Sequence, residues 1–119
     1  MTRPNDTLLA VCIALWSLQA TAGPAELRTL AHQYYEWRDE AYPVATSSAG
    51  EHRFDSRLTD YRLTSVLERR RHVSELLAQV RAIDDAGWSK DDRVDRVLFQ
   101  SQLASADFFD REGTVQNFV

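Results

Sequence analysis

The chain has 119 residues and a formal net charge of −4. That acidic balance argues against a nucleic-acid partner, because such proteins carry basic patches or an overall basic charge. Its length accommodates one domain with a single modest core.

The amino terminus has the layout of a secretory signal. Met1 and Arg3 supply positive charge, an uncharged apolar stretch runs from Leu8 to Leu18, and Ala20-Thr21-Ala22 offers a small-residue cleavage site. Cleavage after Ala22 is expected, leaving Gly23 rather than Pro24 at the new terminus. The apolar stretch is well short of the roughly 18 to 20 residues that span a bilayer, so no stable membrane span is expected. Cys12 is preceded by Val11 where a lipidation signal takes a small residue, which argues against a lipid anchor. The mature chain is expected in the periplasm or secreted. It contains no cysteine, and so no disulfide, thiolate metal site or cysteine nucleophile. Arg3 and Asp6 leave together, so the net charge survives cleavage.

The remainder reads as all-α, with three main helices and no run of alternating β-branched residues. The expected division is a signal over 1–22, a helical domain over 23–112 and a tail over 113–119. The first helix starts at Pro24, a favoured first-turn residue, and runs to about Tyr42, where Pro43 discourages continuation. Leu27, Leu30, Ala31, Tyr34, the stem of Arg38 and Ala41 make its apolar stripe, with Trp37 beside them. A connection of about twenty residues follows, long enough to be functional or to hide a short helix; one turn over Val44 to Ala49, stopped by Gly50, is expected.

Thr64 or Ser65 is positioned to cap the second helix, with Ser65 and Glu68 at capping-box spacing. Val66, Val73 and Val80, supplemented by Leu67, Leu76, Leu77 and Ile83, define its stripe up to about Asp84. The third helix is expected to use Ser89 as cap, with Asp91 and Asp92 near the positive end of its dipole. Its expected buried stripe is Val94, Val97, Leu98, Ser101, Ala104 or Ser105, and Phe108, widened by Phe99, Leu103 and Phe109. Gly113 is expected to stop it. The short link makes the second and third helices an antiparallel hairpin.

Catalytic and metal motifs are absent from the sequence. His32, His52 and His72 stand twenty residues apart, which matches no local ligand motif, and there is no H-E-x-x-H or G-x-S-x-G pattern. His32 and Glu36 share helical spacing suited to a polar contact. Arg69-Arg70-Arg71-His72 cannot face one phosphate, since successive helical residues point about 100° apart. Asp92 with Arg96 and Asp107 with Arg111 have ordinary salt-bridge spacing. The remaining candidate is the loop segment 51–57, where His52, Arg53 and Asp55 are the candidate binding residues. Its structural reading is that Asp55 pairs with Arg53 or Arg57 and pins the loop to the helices.

Tyr34-Tyr35-Glu36-Trp37-Arg38, Tyr42-Pro43-Val44-Ala45-Thr46 and the stretch from Gly50 to Leu58, continued by Glu68-Arg69-Arg70-Arg71, Ile83-Asp84 and Asp91-Asp92-Arg93-Val94-Asp95, occur in this order. Together they resemble the start of a bacterial family known as domain of unknown function 885. The resemblance covers nearly all of the chain from the expected cleavage site to about Phe109. It implies longer, exported, largely helical, zinc-peptidase-like proteins with a downstream His-Glu-x-x-Pro-Gly-His motif that has no counterpart here. No catalytic residue or zinc ligand carries over to a position in this chain, so no cofactor is expected in it.

What the resemblance implies is a noncatalytic amino-terminal helical segment of an exported metallopeptidase-like protein, a truncated or partial chain without activity of its own. Its partner would be the catalytic portion, or itself by self-association. The alternative is a self-sufficient periplasmic helical binding module. An independent small enzyme is disfavoured because no acid, base and nucleophile form a constellation.

Overall fold

A computed structural model describes residues 22–116, with side chains described as far as Arg111. The expected signal over 1–22 therefore lies outside the described residues except for Ala22, as do residues 117–119 of the expected tail.

The described residues form four helices and no strand: α1 Pro24–Ala41, α2 Pro43–Ser48, α3 Leu63–Arg81 and α4 Lys90–Gln116. Pro24 and Pro43 each occupy a first-turn position, where the missing N–H costs nothing. Glu26 completes the start of α1 by accepting a hydrogen bond from the Gly23 backbone N–H at 3.2 Å. The single turn expected after Pro43 is present as α2, and Gly50 reverses the chain behind it with φ of +96°, a left-handed conformation open to glycine.

The second helical start departs from expectation. Arg62, not Thr64 or Ser65, is the N-cap of α3, and no side chain caps it. Starting at Leu63 places Ser65 inside the first turn, where its hydroxyl donates instead to Asp60 Oδ2 at 2.8 Å. The helix also ends at Arg81, before the expected Asp84. Ser89 does cap α4: its hydroxyl accepts the Asp92 N–H at 3.1 Å and donates to the Asp92 carboxylate at 2.7 Å. Gly113 does not stop α4, which continues through Gln116. One glycine costs a helix about 1 kcal/mol, too little to break a helix with six turns of momentum behind it.

Helices α3 and α4 form the antiparallel hairpin, and α1 runs alongside it in the direction of α4, from Arg28 beside Asp92 to Tyr42 near Asp110. Val73, Leu76, Leu77 and Val80 from α3 meet Phe99 and Leu103 from α4, and Leu27 and Tyr34 of α1 close the core. Tyr34 packs edge-on against Phe99 with ring centroids 5.7 Å apart. Arg70 ties the open end of the hairpin by donating from Nε to the Asp110 carbonyl at 2.9 Å and from Nη2 to the Arg111 carbonyl at 2.9 Å.

The expected stripe of α4 is corrected by the packing. Phe99 and Leu103 are buried, whereas Val94, Val97, Leu98, Ser101, Ser105, Phe108 and Phe109 are exposed. Two apolar faces compete on this helix. The one with Phe99, Leu103, Ala104 and Ala106 wins the core because its centre is apolar, while the other has Ser101 and Ser105 at its middle. Among the described residues no helix is long and apolar enough to cross a membrane.

Candidate functional site

The loop between α2 and α3 is held by charge. Arg53 Nη1 donates to Glu36 Oε2 at 3.1 Å and Arg57 Nη1 to Glu40 Oε1 at 3.0 Å. Glu36 and Glu40 are one turn apart on α1, and the two arginines repeat that spacing, so the pairs form a two-rung clamp. Phe54 lies under both guanidiniums, 5.3 Å from that of Arg53 and 5.6 Å from that of Arg57. The bond from Arg53 holds the Glu36 carboxyl below its ordinary range and correspondingly raises the arginine.

Asp55, expected to pair with Arg53 or Arg57, pairs with neither. It accepts from the Ser47 hydroxyl through Oδ1 and contacts His52 Nδ1 at 2.9 Å through Oδ2. The arginines are drawn instead to the two glutamates already fixed on α1. The Ser47 hydrogen bond, followed by that from His52, holds Asp55 below the usual carboxylate range. Serine, aspartate and histidine are thus together, but in the wrong order for nucleophilic catalysis. A serine triad places the imidazole between hydroxyl and carboxylate, whereas here the carboxylate stands between the other two. The arrangement orients His52 and fastens the loop to α2.

At the end of the loop, Asp60 gathers α3. Its carboxylate accepts the Arg62 backbone N–H at 2.9 Å, the Arg62 guanidinium at 2.6 Å and the Ser65 hydroxyl, while its carbonyl accepts Arg69 Nη1 at 2.7 Å. The Arg62 side chain is the main cause that holds the Asp60 carboxyl far below its ordinary value.

The basic run 69–72 splays as helical geometry requires. Arg69 lies over the Tyr42 ring at 5.0 Å, Arg70 reaches α4, Arg71 turns to Glu75 at 3.8 Å, and His72 stacks on Trp37 with centroids 4.1 Å apart. Of the two expected salt bridges on α4, Asp107–Arg111 forms at 3.1 Å. Asp92 pairs with Arg28 instead, and Arg96 with Asp85 at 2.9 Å, because partners on neighbouring elements outcompete the local ones.

These elements enclose an open cleft of about 390 Å³ between the end of α1, the loop and α3. Trp37, His72, Glu68 and Glu75 line it together with the Arg57–Glu40 and Asp60 clusters. Leu58, Tyr61, Leu63 and Leu67 on the adjoining loop and first turns of α3 are exposed, Leu58 to 86%. On the other side of Trp37, a cavity of about 360 Å³ is lined by Tyr34, Tyr42, Gln102 and Asp110, among others. Burial pushes the Tyr34 and Tyr42 hydroxyls and the Asp110 carboxyl upward, and for Asp110 the nearby Arg69 and Arg70 only partly offset it.

Among the described residues no three His, Cys, Asp or Glu side chains gather at a spacing that could hold a metal. His52 is bound to Asp55, His72 lies on Trp37, and Glu36, which shares helical spacing with His32, is engaged by Arg53. The residues present do not fit the zinc centre that the resemblance implies for longer proteins. Sequence reasoning missed the Glu36/Glu40 clamp, although the equal spacing of the two glutamates and the two arginines was its visible signal. Comparison with family models, curated proteins and solved structures finds no match to this chain.

Proposed function

We propose that this chain is a noncatalytic helical segment of an exported metallopeptidase-like protein, whose role is to form one wall of a cleft completed by a catalytic portion. The observation that carries the reading is the open cleft with exposed apolar residues of the loop at its edge: Leu58, on its lining, is 86% exposed, and Tyr61, next in the chain to the Asp60 of that lining, is exposed as well. Exposed apolar side chains at the mouth of a cleft mark an interface. The cleft's charged groups are largely engaged, as the Arg57–Glu40 and Arg71–Glu75 pairs and the bond of Asp60 to Arg62 show, so they support a wall rather than a reacting centre. The order of short motifs in the sequence supplies the class of the partner.

The test is addition of this chain to the catalytic portion of a longer family member stripped of its own amino-terminal segment. Restored peptide hydrolysis, abolished by the double change Leu58→Asp and Tyr61→Asp in this chain, is the expected result. Both residues are exposed, so the substitutions leave folding intact, as circular dichroism will verify. Failure of the chain to bind or restore that portion, with its helical signal intact, contradicts the reading and favours a self-sufficient binding module.

A further inference from the structure

The outward face of α4 is remote in role from the cleft rim and has its own pattern. Val94, Val97 and Leu98 stand at one end, Phe108 and Phe109 at the other, and the small Ser101 and Ser105 between them, all exposed. Beside the first group, α1 and α4 leave a groove of about 370 Å³ whose apolar lining is Leu27, Ala31, Tyr35, Leu98 and Phe99. The same face therefore holds a receptacle at one end and two projecting phenyl rings at the other.

We infer that this face binds a second copy of the chain, with the two α4 helices antiparallel about a two-fold axis at the height of Leu103. That axis brings Leu98 and Phe109 of the second copy to nearly the same height on one flank, Val97 and its Phe108 on the other, and sets Ser101 across from its Ser105. Leu98 and Phe109 lie on one flank of α4, because 98, 102, 105 and 109 recur at helical spacing, and Leu98 identifies it as the flank that borders the groove. A two-fold axis brings like flanks together, so Phe109 of each copy enters the groove of the other. A groove of this size accepts a phenyl ring, since cavities of about 150 Å³ already take benzene. The contact is isologous and closes on itself.

The area agrees with a dimer. The exposed parts of Val94, Val97, Leu98, Phe108 and Phe109 amount to roughly 600 Å² per copy, taking aromatic side chains at about 150–250 Å² each. Two copies together therefore have up to about 1,200 Å² of apolar surface to bury, which reaches the lower end of the range for specific interfaces. The serines at the centre leave room for the larger side chains on either side, and no residue between Arg96 and Asp107 is charged.

The experiment uses the full chain on a Cys12→Ser background. Sedimentation equilibrium is expected to show a monomer–dimer equilibrium that Phe109→Ala weakens roughly tenfold or more, the size of effect typical of an aromatic anchor that fills a pocket. Mixing Ser101→Cys with Ser105→Cys proteins under mild oxidation is expected to trap a disulfide between the two. Leu58→Asp, on the cleft lining, is expected to leave the dimer unchanged, which separates this inference from the proposed function. A chain that stays monomeric at several hundred micromolar, or a dimer that cross-links without joining positions 101 and 105, overturns it.

Discussion

The α3–α4 hairpin and the loop of residues 49–62 are adjacent, yet they are held by different forces. The hairpin is fixed by apolar contacts among Val73, Leu77, Val80, Phe99 and Leu103, of which Val80 and Leu103 have no exposed surface. In the loop, exposed charge pairs to α1 and a knot around Asp60 do the fastening, and its one large apolar anchor, Phe54, is only half buried. Packing of the first kind is not screened by ions. Charge pairs of the second kind are individually weak and are screened by ions. The teaching is that one small chain combines a stiff frame with a condition-sensitive strap, and the strap borders the cleft.

The largest effect should come from the frame. Leu103→Ala removes a fully buried side chain from the centre of the hairpin and is expected to lower stability by about 2–5 kcal/mol, read from denaturant unfolding. A loss under 1 kcal/mol would mean that the hairpin is not the stable unit.

Salt should act on the other region. Raising sodium chloride to about 0.5 M shortens the screening length to a few ångströms and weakens the Glu36–Arg53 and Glu40–Arg57 rungs. Trypsin cleavage after Arg53 and Arg57 is then expected to accelerate several-fold while the thermal midpoint of the helices stays put. Equal rates at low and high salt would show that the clamp contributes nothing to loop order.

Acid gives the smallest and most discriminating effect, because the two regions respond with opposite sign. Asp55 and Asp60 have folded-state values below the unfolded one, so what they contribute is present above about pH 4 and is lost as pH falls through their depressed values. Asp110 is raised in the folded state, so its contribution is present at low pH and is lost as pH rises through that raised value. Between pH 6 and pH 3, amide exchange in residues 51–62 should therefore accelerate relative to the hairpin. Asp110→Asn should flatten the pH dependence of hairpin stability above pH 4 without lowering stability at pH 7. Loss of stability in that variant at pH 7 would show that the ionised carboxylate is a net asset where it lies.

The same contrast explains what the sequence made legible. Periodicity found α1, α2 and the hairpin because apolar stripes and prolines act locally, and Leu27, Tyr34, Val73 and Val80 are buried as their spacing requires. It misjudged α4 because two faces of that helix carry apolar residues, and only the packing of α1 and α3 decides between Leu98 and Leu103. Partner choice among charges was the least legible feature. Asp55, Asp92 and Arg96 each had a plausible neighbour in sequence and took another across space. The cap of α3 failed for a related reason, since Asp60 draws Ser65 away from the backbone.

The central claim is that these residues build a wall and not a reacting centre. Peptide hydrolysis by the purified chain, followed by mass spectrometry of a mixed peptide library with and without added zinc, tests it most directly. The account predicts no cleavage above a protein-free blank in either condition. Zinc-dependent cleavage that disappears on His52→Ala or Asp55→Asn would contradict it.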